Sequence, residues 1–174
     1  GAFYLSAFFL IFPPRFLEPS TLAFLTAAKK GPVYAANKKY TKAQEQYFLA
    51  LSYQPGDSNT WYNLGNVYFH QGKLDKAQKA YRKALNICGF QVDALFNLGF
   101  IHEQRREWGK AAEHYQEVLR YQPESPDVHF RLGSVYAHQG DCAKSHHHYQ
   151  ILEQLNPQLS AALQTKKIPC PIYN

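Results

Sequence analysis

Four glycines stand at one spacing along this chain: Gly31, Gly65, Gly99 and Gly133 recur every 34 residues, and Tyr47, Tyr81, Tyr115 and Tyr149 keep the same step. Further columns share the register. Ala43, Ala77, Ala111 and Ser145 are small, Ala50, Ala84, Val118 and Leu152 follow, and Pro55, Gly89, Pro123 and Pro157 close each copy. One matching column would be weak, whereas several in a single register without an insertion define a repeat array. Such a chain builds its core between neighbouring copies and not around one centre.

Within a copy the spacing is helical. Trp61, Leu64 and Tyr68, then Leu98 and Ile101, recur at steps of three and four residues and so share one face of a first helix. Gly65, Gly99 and Gly133 lie on that face, where the missing side chain lets a second helix approach. Ala77, Ala111 and Ser145 do the same from the partner helix, and Tyr81, Tyr115 and Tyr149 are expected to fill the core beside that contact. Pro55, Pro123 and Pro157 stop the second helix. The fold class is all-α, a stack of helix–turn–helix units.

The fullest copy, residues 58–91, reads Trp61, Leu64, Gly65, Tyr68, Gly72, Ala77, Tyr81, Ala84, at W-x2-L-G-x2-Y and A-x3-Y-x2-A spacing. This resembles the tetratricopeptide repeat (TPR) family, over roughly residues 24–159, and the resemblance implies an α–α superhelical solenoid. Copies 58–91, 92–125 and 126–159 are near-complete. The first, 31–57, is degenerate: Ala27 and Lys30 stand where Trp and Leu belong, and Gly31-Pro32 is expected to interrupt a helix. Residues 160–174 read as a capping helix and tail, with Leu159, Ala162 and Leu163 covering the last copy before Pro169 and Pro171 end it.

The 174 residues fit one such domain, and 45% hydrophobic content with 16% aromatic residues belongs to a folded chain. The net charge of +6 is spread along the second helices and the ends, with no recognised nucleic-acid module beside it, so no nucleic-acid partner is expected. Cys88, Cys142 and Cys170 are far apart and form no C-x2-C pair. Neither a disulfide framework nor a zinc site is expected, and a reducing compartment or indifference to redox state fits. His146, His147 and His148 follow Cys142 by four residues and more, but consecutive helical residues point in different directions and no carboxylate joins them. No metal is expected.

Residues 1–30 form an apolar N-terminal arm. Ala2 to Phe12 carries no charge, and its eleven residues of helix reach only about half of a hydrocarbon core roughly 30 Å thick. The sequence has no Met, so the natural chain is expected to start earlier. The run then reads as the tail of a membrane helix, the rest of a signal-type segment, an arm docked on a partner, or, with the second apolar stretch Ser20–Ala28, a segment packed back on the first copy. Phe3, Phe8, Phe9, Leu10, Ile11 and Phe12 are together too apolar to leave in water, so they are the expected membrane-contacting residues. Lys29, Lys30, Lys38 and Lys39 follow, which suggests a membrane-associated chain with its repeats on the cytoplasmic side.

The resemblance to the TPR family also implies a concave groove lined by the first helices. Its partner-binding residues here would be Tyr62, Asn63, Asn66, Phe96, Asn97, Phe100, Glu103, Phe130, Arg131, Ser134 and His138, with Ala137 beside them. Asn63, Asn97 and Arg131 occupy one position of successive copies, which suggests a ladder of donors for the backbone of an extended peptide, with the aromatic residues supplying apolar contacts between them. The chaperone-binding TPR clamp for a C-terminal carboxylate matches at Asn66, Asn97 and Arg131, but Tyr62 and Asp127 replace its lysines. No catalytic motif or cofactor signature is present, so no catalytic residues and no cofactor are expected. The expected function is a non-catalytic protein–protein interaction scaffold, an accessory subunit or assembly factor of a membrane-associated complex; the alternative is the substrate-recruiting module of a larger enzyme such as a glycosyltransferase.

Overall fold

A computed structural model describes residues 18–89, 91–164 and Cys170. The regular elements among them are all helices: α1 (Pro19–Ala36), α2 (Tyr40–Tyr53), α3 (Ser58–His70), α4 (Leu74–Cys88), α5 (Val92–Gln104), α6 (Trp108–Tyr121), α7 (Pro126–Gln139), α8 (Cys142–Leu155) and α9 (Pro157–Gln164). Consecutive helices pair into units, α1 with α2 through α7 with α8, each unit packs on the next, and α9 closes against α8. The fold is the expected all-α solenoid.

Each unit is joined by a glycine lying under a tyrosine ring. A Cβ added to Gly65 would stand 2.5 Å from the Tyr81 ring, and one added to Gly99 would stand 2.7 Å from Tyr115. Gly31 meets Tyr47 and Gly133 meets Tyr149 in the same way. The glycine and tyrosine columns are therefore two sides of one contact. Ala43, Ala77 and Ala111 are fully buried beside it, and the Ser145 hydroxyl, equally buried, donates to the Gly133 carbonyl at 2.8 Å. Burial pushes the Tyr47 and Tyr149 phenols up to about 12.

The helix ends follow local chemistry. Asp57 caps α3 by accepting from the Thr60 N–H at 2.8 Å, Asp141 caps α8 through the Lys144 N–H at 3.1 Å, and Asn156 accepts from the Leu159 N–H at 3.0 Å at the head of α9. Pro126 opens α7, and Pro157 both ends α8 and starts α9. The turn inside each unit needs one residue of positive φ at the same register position: Lys38 (56°), Gly72 (72°), Arg106 (58°) and Gly140 (79°).

Two expectations need correction. Gly31-Pro32 does not break a helix, because α1 runs through Pro32. The proline removes one N–H from the ladder, while Gly31 is held under Tyr47 and Ala27, where Trp was missed, is buried at 1% exposure. The first unit is therefore a whole hairpin from Pro19, with α1 as its first helix. Cys142 and Cys170, expected to be unpaired, form a disulfide with Cα atoms 5.4 Å apart. Distance in sequence misled here: α8 and α9 return the tail to the α7–α8 turn, where Cys170 is buried 3.9 Å from the Ala137 carbonyl. Leu159 packs on Tyr149 and Leu152 as a cap should. The side chains of Ala162 and Leu163, and the arm residues Phe3, Phe8, Phe9, Leu10, Ile11 and Phe12, lie outside the described residues.

Polar seams lock neighbouring units. Buried His102 donates through Nδ1–H to Glu107 Oε2 at 2.6 Å, so its Nε2 accepts from Gln78 at 3.2 Å; Gln78 in turn accepts from Arg105 at 2.9 Å, which also pairs with Asp75. Within the α7–α8 hairpin, the Pro123 carbonyl of the preceding linker can only accept, so His129 donates from Nε2 and takes the Nδ1–H of His148 at 2.9 Å. His148 also stacks on Tyr136 at 5.6 Å.

Gly99→Ala should lose about 1–3 kcal/mol in urea unfolding, since the Tyr115 ring must move. Gly109→Ala, in an open position of α6, should gain up to about 1 kcal/mol from helix propensity. Equal effects would contradict the seam. Burial first, then the charges of His129 and His147, pushes the His148 imidazole down to about 4 from an ordinary 6.5. Between those values the unfolded chain binds the proton and the folded one does not, so stability falls as pH falls. His148→Gln should lessen that fall in melting temperature; an unchanged slope would place the acid sensitivity elsewhere.

Candidate functional site

The first helices α3, α5 and α7 turn one row of side chains toward a common surface, and cross-unit contacts show that they share it. Phe69 meets Phe100 edge-on at 5.6 Å, Asn97 donates to Asn66 Oδ1 at 3.2 Å, and Arg131 lies over Phe100 at 4.3 Å and Phe96 at 5.5 Å. Tyr62 packs against Tyr81 at 5.8 Å, and Phe96 against Tyr115 at 5.5 Å. Helical steps of three and four residues place these groups in line.

The floor of this surface is tied to the glycine–tyrosine contacts beneath it. The Tyr81 hydroxyl donates to Asn66 Oδ1 at 2.7 Å, and the Tyr115 hydroxyl donates to Glu103 Oε2 at 2.7 Å, which Arg131 also reaches at 3.1 Å. Burial, with the Glu103 carboxylate adding to it, raises the Tyr115 phenol far above its ordinary range. Tyr81 and Tyr115 thus fill their hairpins with their rings and orient groove residues with their hydroxyls.

The geometry modifies the donor ladder. Asn97 spends one amide N–H on Asn66, and Arg131 spends one guanidinium N–H on Glu103. Arg131 has five such donors, so it retains others for a ligand. Asn63 lines a pocket of about 370 Å³ at the N-terminal end with Asn66, His70, Lys38 and Tyr40. Lys38 and Tyr40 were missed in the sequence because they belong to the turn and second helix of the preceding unit. His70 stacks on Tyr40 at 5.8 Å, and His138 stacks on Trp108 at 4.5 Å while its Nδ1–H donates to the Ser134 carbonyl at 2.8 Å. At the far end Phe130 packs on Tyr149 and Leu152, and Ala137 is buried under Cys170 and does not line a groove. Among the described residues there is no group of three or more His, Cys, Asp or Glu able to hold a metal, and no helix long and apolar enough to cross a membrane.

Two family models, both described as Tetratricopeptide repeat, match residues 56–124 and 96–159 and together cover more than half of the chain. No curated protein matches it. Among solved structures it is similar to the MamA protein, at 20% identity and a TM-score of 0.75 over 82% of this chain and 78% of that one. It is similar to YrrB, titled a TPR protein with an unusual peptide-binding site, at 18% identity and a TM-score of 0.74 over 84% and 79%. PilF of Pseudomonas aeruginosa follows at 22% identity and a TM-score of 0.70 over 84% and 67%. At such identities the likeness is one of fold. Hairpins that repeat every 34 residues and family matches that run unbroken from 56 to 159 lead to one conclusion: the chain belongs to the tetratricopeptide repeat family.

Proposed function

We propose that the chain is a non-catalytic interaction scaffold that takes a segment of a partner protein along the face formed by α3, α5 and α7. The observation that carries this reading is the row of aromatic groups, Phe69, Phe100 and Phe96, bracketed by the Asn63 pocket at one end and the Arg131–Glu103 pair at the other. Apolar surface gives such a segment its affinity, and the flanking amide and guanidinium groups fix its register. The peptide-binding site named for YrrB supports the reading by likeness of fold.

The same proposal makes the protein an accessory subunit or assembly factor of a membrane-associated complex, held there by its N-terminal arm, with the repeats on the cytoplasmic side. The support is the charge-free run from Ala2 to Phe12, together with Leu22, Leu25 and Val33, which stand exposed on α1 beside Lys29 and Lys30. Apolar side chains flanked by lysines suit the surface of an anionic bilayer.

A photo-reactive phenylalanine analogue at Phe100 should crosslink a partner in native cells, and Asn63→Ala with Asn97→Ala should weaken that partner by about 1–3 kcal/mol with little change in melting. Crosslinking only from Glu113, on the opposite side of the array, would sink the groove reading. In a flotation assay with phosphatidylglycerol vesicles, the full chain should rise with the lipid and a chain beginning at Pro19 should rise much less. Equal flotation would remove the arm as an anchor.

A further inference from the structure

The outer face carries a second recess, between the second helices α2 and α4, with the back of α3 as its floor. It measures about 360 Å³ and is walled by Phe48, Trp61 and Tyr68. The Trp61 indole is fixed by donating to the Pro55 carbonyl at 2.9 Å, and Phe48 remains 46% exposed. Its charged lining residues are Lys76, Lys79 and Lys83, all exposed, with the Lys76 ammonium 5.8 Å from the centre of the Tyr68 ring.

The repeat register shows why the recess is open here. Its base is Ala80, and the same position of the next two units is His114 and His148. His114 stacks on His102 at 5.3 Å, and His148 stacks on Tyr136 at 5.6 Å, so in those units an imidazole fills the space that Ala80 leaves. Two of the three charges are particular to this unit, since Lys76 recurs as Lys110 and Lys144 but its neighbours do not recur. Where it has Lys79 and Lys83, the third has Glu113 and Glu117, and the fourth has His147 and Ile151. Lys76, Lys79 and Lys83 form a row along one helix face, spanning about 10 Å of axis. That spacing meets successive carboxylates along a chain better than it meets one compact headgroup.

We propose that this outer cleft docks an acidic peptide segment carrying one large apolar side chain, which enters over Ala80 between Trp61 and Tyr68 while its flanking carboxylates face the three lysines. Charge complementarity selects the partner and the aromatic walls select the anchor. The site is separate from the α3–α5–α7 face and does not depend on it.

The probe is a short fluorescein-labelled peptide of Asp and Glu with one central Phe, titrated onto the full chain by fluorescence anisotropy. Ala80→His, which refills the recess as its sister units do, and the double variant Lys79→Glu, Lys83→Glu should each weaken binding by roughly tenfold or more. Asn97→Ala should bind as the unaltered chain does. The lysine variants alter only exposed positions, so they remain informative if Ala80→His melts early. Absence of binding by the unaltered chain, undiminished binding by well-folded Ala80→His, or equal binding of a peptide with Ser in place of Phe would each overturn the proposal. So would displacement of the peptide by phosphatidylglycerol vesicles or single-stranded DNA in preference to an unlabelled copy.

Discussion

Everything in this array rests on a ring lying against a backbone. Where Gly31, Gly65, Gly99 and Gly133 lack a side chain, a tyrosine from the second helix moves in until no Cβ would fit. The contact sets how closely two helices approach, and small Ala43, Ala77, Ala111 and Ser145 keep the approach open on the other side. In the two middle hairpins the ring reaches through the unit, and its hydroxyl bonds a residue of the inner face: Tyr81 holds Asn66 and Tyr115 holds Glu103. Packing and recognition surface are thus built by the same residue. Close packing of this kind tolerates little change in volume.

What the sequence made legible was what repeats. The Gly and Tyr columns, the small column and the chain-stopping Pro55, Pro123 and Pro157 all sit where spacing placed them, since a periodic pattern reports an interaction that recurs between neighbours. What recurs only once was harder to read. Gly31-Pro32 looked like a break because local propensity argues for one, yet the helix runs on through Pro32 with Gly31 packed under Tyr47. The Cys142–Cys170 bond depends on how α8 and α9 return the tail, which no column encodes.

The inner face shows the same division. Positions carried from the TPR family name the residues of the row, but their partners were not readable from register alone. Asn97 turns to Asn66 and Arg131 to Glu103 because each finds a polar group from the preceding unit at hydrogen-bonding distance. Lys38 and Tyr40 enter the end pocket from a turn that lies many residues before Asn63 in sequence. The histidines at 114 and 148, unremarkable as letters, act as fillers between second helices, stacked on His102 and Tyr136.

The tail bond gives the solenoid a mechanical polarity. Cys170 is fastened to Cys142, 28 residues earlier, so α9 and the whole of α8 lie inside a covalent loop. Tension applied at the C-terminal end bypasses that loop and enters the array at the head of α8, leaving the last helices unloaded. At the opposite end α1 has a proline within it and no such fastening among the described residues, with Leu22 and Val33 facing outward. A stack pulled from both ends therefore carries the load through α1 to α7, while α8 and α9 stay slack behind the bond.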